Sequence, residues 1–205
     1  MKLHTSLRAP NPRRVDMFLV EKGISGIERE VYDLNAGEHR SATFTAMNPI
    51  ARVPVLELDD GRFLAESRAI CSYLESLYPE PNLLGVDAEE RAFIEMADRQ
   101  VELTLLAAVA NHVRHSHPGL LPLENPQFAD YAHEQGKRMV AAAALFDQLL
   151  AKRPWMAGDR FTIADITAFC GLEFARLVKF RPADAGLVHL AAWRERVAER
   201  PSARL

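Results

Sequence analysis

Apolar residues along the chain switch between short alternating runs and a helical period, and each switch marks an element. Leu3 to Leu7 is a short strand of mixed polarity. After Arg8-Ala9-Pro10-Asn11-Pro12, the residues Val15, Phe18, Leu19 and Lys22 recur at helical spacing as far as Gly23. Asn11 before Pro12 predicts the helix start, because the Asn side chain accepts an orphan amide proton and proline has no amide to leave unpaired. Gly23 predicts its left-handed stop. Ile27 to Tyr32 reads as a second strand, and residues 37 to 46 carry a weak helical pattern anchored by Phe44. Val53 to Leu58, the turn Asp59-Asp60-Gly61 and Arg62 to Ala65 form a hairpin. From Ser67, a stripe of Ile70, Tyr73, Leu74 and Leu77 runs out at Tyr78-Pro79-Glu80-Pro81, where two prolines forbid continuation.

Beyond Asp87 the period is helical to the end, with breaks at Pro118-Gly119, Asn125-Pro126, Pro154 and Pro182 to Gly186. One helix start is sharply marked. In Phe161-Thr162-Ile163-Ala164-Asp165-Ile166, Thr162 caps the helix, Asp165 returns a bond to the cap amide, and Phe161 can staple onto Ile166. The expected organisation is therefore an α/β domain over residues 1–79, a linker over 80–87 and an all-α domain over 88–205.

Composition narrows the chemistry. The 205 residues have a net charge of −3, and residues 1–80 hold 10 basic and 12 acidic side chains, so no basic patch marks a nucleic-acid or anionic-membrane partner. Cys71 and Cys170 are the only cysteines, which leaves neither a disulfide framework nor a metal knuckle and points to a reducing cytoplasm. The start Met1-Lys2-Leu3-His4 is not followed by a long apolar run, and the expectation is a protein neither exported nor membrane-bound.

Specific motifs occupy this frame in order: Asn11-Pro12-Arg13-Arg14-Val15, Glu38-His39-Arg40, Asn48 to Leu56, Leu64 to Ile70, and the box from Thr162 to Asp165. Together they resemble the glutathione transferase superfamily over essentially the whole chain. The resemblance implies a thioredoxin-like N-terminal domain (βαβαββα) before an all-helical bundle, a homodimer, and glutathione bound on the first domain.

Glutathione carries two carboxylates, one ammonium and a thiol, so its site needs a peptide-pairing edge, anion donors and a thiolate stabiliser. A Val53-Pro54 bond in the cis form would turn the Val53 amide and carbonyl outward toward the cysteinyl backbone. Glu66-Ser67 sits where hairpin gives way to helix. There the Ser67 hydroxyl and the first helical amides face an anion while Glu66 takes an ammonium, although read alone the pair is equally an ordinary cap. By likeness to the plant phi class, His39, Arg40 and Arg52 would contact the glycyl carboxylate or the backbone; read alone, the arginines are solvated surface charges. The serine that phi, theta and zeta classes place before the first helix falls at Ala9. Asn11 instead resembles the asparagine of the nu class, where an amide donor and the helix amides stabilise sulfur, with Ser6 in reserve.

The family sets electrophile choice with the loop after the first strand and the first helix of the bundle, which makes Leu7, Arg8, Leu105, Val109 and His112 the candidates for a second-substrate pocket; read alone, most apolar residues at that spacing are core. His112, His115 and His117 do not complete a metal set, and no metal is expected. The expected reaction is attack of bound thiolate on a small hydrophobic electrophile. A glutathione-dependent disulfide-bond reductase or peroxidase is the rival enzyme, and a non-catalytic binding module the rival of another class.

Overall fold

The computed structural model describes residues 1–7 and 9–204. Two compact units emerge, Met1–Pro81 and Asn82–Leu205. The first runs β1 (Lys2–Thr5), α1 (Pro10–Glu21), β2 (Glu28–Val31), a 3-10 turn (Glu38–Arg40), α2 (Ala42–Met47), β3 (Val55–Glu57), β4 (Phe63–Ala65) and α3 (Ser67–Leu77). Its sheet is ordered β2-β1-β3-β4, with β1 parallel to β2 and the other pairings antiparallel.

Helices α1 and α3 bury Val15, Phe18, Leu19, Ile70 and Leu74. Each such side chain contributes roughly 1.5–3 kcal/mol when fully buried. Charges also enter this interior. Lys22 Nζ lies 2.7 Å from Glu75 Oε2 and donates to the Pro81 carbonyl at 2.8 Å, tying α1, α3 and the end of the unit together. His4, next to Leu3 on β1, points to the opposite face. It bonds Tyr32 (3.1 Å) and Glu57 (3.0 Å), and Tyr32 packs edge-on against Phe44 of α2. Burial and the Glu30 carboxylate push the Tyr32 phenol up to about 12, so it stays protonated.

Two expectations are corrected here. Helix α1 begins at Pro10, with Ala9 as its cap residue, and Asn11 lies inside the first turn, where it caps nothing. The reason is local: Pro10 and Pro12 both lack an amide, so two of the donors a cap would satisfy do not exist. The weak helix of residues 37–46 is two pieces, because Ser41 adopts an extended backbone and accepts the Phe44 amide to start α2. Gly23 ends α1 as expected, at φ +64°.

The second unit contains α4 (Ala88–Gln100), a π-helical stretch (Val101–Leu106), α5 (Ala107–Ser116), α6 (Ala129–Leu150), α7 (Ile163–Ala175) and α8 (Val188–Ala198). α7 is buried along almost its whole length. Asp165 takes the Thr162 amide at 2.9 Å, the Met156 amide at 2.9 Å and the Trp193 indole N–H at 2.8 Å. Periodicity gave no sign of the π-helical stretch, in which Val101, Leu105 and Leu106 are buried. Among the described residues, no helix is long and apolar enough to cross a membrane.

Candidate active site at one end of the first sheet

The strand pairing collects the candidate residues. β1 and β2 are parallel, so both end on the same side of the sheet; β3 runs against β1 and therefore begins there, and β4 ends there. His4 pairs with Val55, and Val55 with Ala65, which aligns Ser6, Val53-Pro54 and Glu66 across neighbouring chains. The loops into α1, into the 3-10 turn and into α3 leave from this same end. Two helix N-termini converge there, and neither has an acidic residue in its first turn.

At the start of α3, Glu66 holds φ +69° and ψ 112°, a backbone that non-glycine residues rarely adopt. Such a conformation costs on the order of 1–3 kcal/mol. Its side chain makes no cap hydrogen bond and is exposed. Ser67 is 4% exposed, and its Oγ accepts a 2.7 Å hydrogen bond from Arg14 Nη1.

The segment entering β3 is braced by buried Asn48, whose Nδ2 donates to the Arg52 carbonyl at 2.9 Å and whose Oδ1 accepts the Ile50 amide at 3.2 Å. The Val53-Pro54 bond is cis, Val53 is half-buried and Arg52 is exposed. In the 3-10 turn His39 is buried and Arg40 exposed.

Around the start of α1, Asn11 is exposed, Ser6 is buried and Leu7 is exposed. Arg8 lies outside the described residues. In the second unit, Leu105 and Val109 have no exposed surface, and at helical spacing both serve packing. His112 is half-buried, with Nδ1 2.8 Å from the Ala132 carbonyl and its ring against Gly136.

Arg14 escaped the sequence reading. Positions 14, 18 and 22 share one helical face, so an arginine in line with Phe18 and Lys22 was the available signal, hidden beside the adjacent Arg13.

Two family models match this chain: Glutathione S-transferase, N-terminal domain, over residues 9–77, and Glutathione S-transferase, C-terminal domain, over residues 106–201. Glutathione S-transferase 2 of Saccharomyces cerevisiae is 37% identical over 204 residues, 98% of this chain and 87% of that protein. Maleylacetoacetate isomerase of Pseudomonas aeruginosa is 32% identical over 174 residues, 81% of this chain and 77% of that protein. Among solved structures, a glutathione S-transferase domain-containing protein of Marinobacter aquaeolei superposes with a TM-score of 0.93 at 42% identity, covering 99% of this chain and all of the other. Domain models on both units and relatives aligned nearly end to end lead to one conclusion: the chain belongs to the glutathione S-transferase family.

Proposed function

We propose that the open end of the first unit's sheet holds glutathione and that the protein directs its thiolate at a small hydrophobic electrophile. The observation that carries this reading is Glu66, kept exposed in a costly backbone conformation at the start of α3, beside a buried serine. Glu66 takes the γ-glutamyl ammonium, and Ser67 with the α3 amides takes the α-carboxylate. The Val53 backbone pairs with the cysteinyl unit, and His39, Arg40 and Arg52 serve the glycyl end.

Asn11, one residue inside α1, offers its amide NH2 to sulfur, assisted by the helix amides. Ser6 is the reserve, set back by its burial. Loss of the thiol proton to solvent leaves a thiolate. It forms a carbon–sulfur bond with the electrophile, and the displaced group leaves with its bonding pair. Exposed Leu7 offers that electrophile an apolar contact. A homodimer working in the cytoplasm completes the proposal.

Calorimetric titration of glutathione into the wild type and Glu66→Ala tests the site, with conjugation and disulfide-reductase assays on the same samples. Binding that weakens sharply in the variant supports the reading. Ala9 in place of a hydroxyl favours the reductase or peroxidase as the second reading, and the paired assays choose between the reactions. A folded wild type that ignores glutathione would overturn both in favour of a non-catalytic module.

A further inference from the structure

Within that glutathione reading, on which this inference rests, we propose that Arg14 is the positioning residue for the γ-glutamyl carboxylate: it fixes Ser67 as a hydrogen-bond donor and places a cation beneath the α3 N-terminus. Arg14 is 1% exposed, Ser67 is 4% exposed, and Arg14 Nη1 sits 2.7 Å from Ser67 Oγ. A guanidinium can only donate, so the serine oxygen accepts from it and the hydroxyl proton must point elsewhere.

Ser67 opens α3, where backbone amides favour an anion, and Glu66 makes no cap bond there. A serine locked as donor at that position suits a carboxylate. The relay runs from a buried cation through a hydroxyl to the ligand, and each bond polarises the next. Arg14 itself does not touch the ligand in this arrangement, which separates its effect from that of Glu66.

The test compares two ligands on the full-length protein: glutathione and its analogue carrying an α-carboxamide in place of the γ-glutamyl α-carboxylate, which retains the ammonium and isolates the carboxylate. Wild type is expected to prefer glutathione over the carboxamide by roughly 10- to 100-fold, the scale of a charge-assisted hydrogen bond. Arg14→Met is expected to shrink that preference to within about threefold, raising KM for glutathione with kcat little changed, and Arg14→Met with Ser67→Ala should lose no more than either alone.

Equal weakening of both ligands by Arg14→Met, or an unchanged preference, overturns the inference. Should Arg14→Met fail to fold, Arg14→Lys and Ser67→Ala decide. A preference lost in Ser67→Ala and partly kept in Arg14→Lys supports the relay, and a wild-type preference in Ser67→Ala overturns it. Failure of the glutathione reading looks different, since the wild type would then bind neither ligand.

Discussion

Each unit contains a helix that begins beside a buried polar group, and the two beginnings are built to opposite ends. At α7, Asp165 is fully enclosed and takes bonds from Thr162, Met156 and Trp193, all within its own unit. At α3, the cap residue Glu66 faces solvent in a strained backbone and caps nothing, while Ser67 is held from behind by Arg14. A helix start whose donors are satisfied from within is a folding device. One left open, at an energetic cost borne by the rest of the fold, is the form a binding device takes.

The largest break in that comparison is Asp165→Ala. It strands three buried donors and leaves a cavity, and the expected loss is about 3 kcal/mol or more, read from chemical denaturation. Glutathione affinity per folded molecule should not change. Glu66→Ala reverses the pattern: affinity falls roughly 10- to 100-fold while stability moves by less than about 1 kcal/mol, because the strained backbone remains and no cap bond is lost. If Glu66→Ala instead unfolded the protein, the two helix starts would be alike, and the contrast would collapse.

The next effect is a pH dependence confined to α7. Burial pushes Asp165 up to about 6 from an ordinary 3.8, against the donors that favour its charged form. A raised carboxyl pKa means that the folded state holds the proton longer than the unfolded state. Its stabilising contribution is therefore complete below pH 3.8 and is lost as pH rises through about 6. Asp165→Asn cannot titrate, so the stability difference between wild type and variant should move against the wild type by roughly 1 kcal/mol between pH 5 and 7. A difference that stays flat would mean the carboxylate is ionised throughout that range.

Most of the first unit was legible in the sequence because its elements are short and punctuated: Gly23, the Asp59-Asp60-Gly61 turn and Pro79 each force a boundary. The capping box was legible for the same reason, its two residues being three apart. The start of α1 was misread, since the run Pro10-Asn11-Pro12 permits a helix from either proline and the asparagine looks like a cap. For Leu105 and Val109, helical spacing marks an apolar face without saying what covers it. Arg14 was missed because its partner, Ser67, is 53 positions away, a distance over which no local pattern carries information.

The smallest expected effect lies at the third helix start, that of α1, where the misreading has a measurable consequence. Were Asn11 the cap, its removal would cost about 1 kcal/mol. With Ala9 as the cap residue and Asn11 exposed one position inside the helix, Asn11→Ala should change stability by less than about 0.5 kcal/mol. Under the proposed role the same substitution raises the pKa of bound glutathione's thiol, followed through the ultraviolet absorbance of the thiolate, and lowers the conjugation rate at neutral pH. A full 1 kcal/mol loss with an unmoved thiol would return Asn11 to capping and leave Ser6 and the helix amides to hold the sulfur. A stable protein with a raised thiol pKa would place α1 beside α3, as a second helix start left open for the ligand.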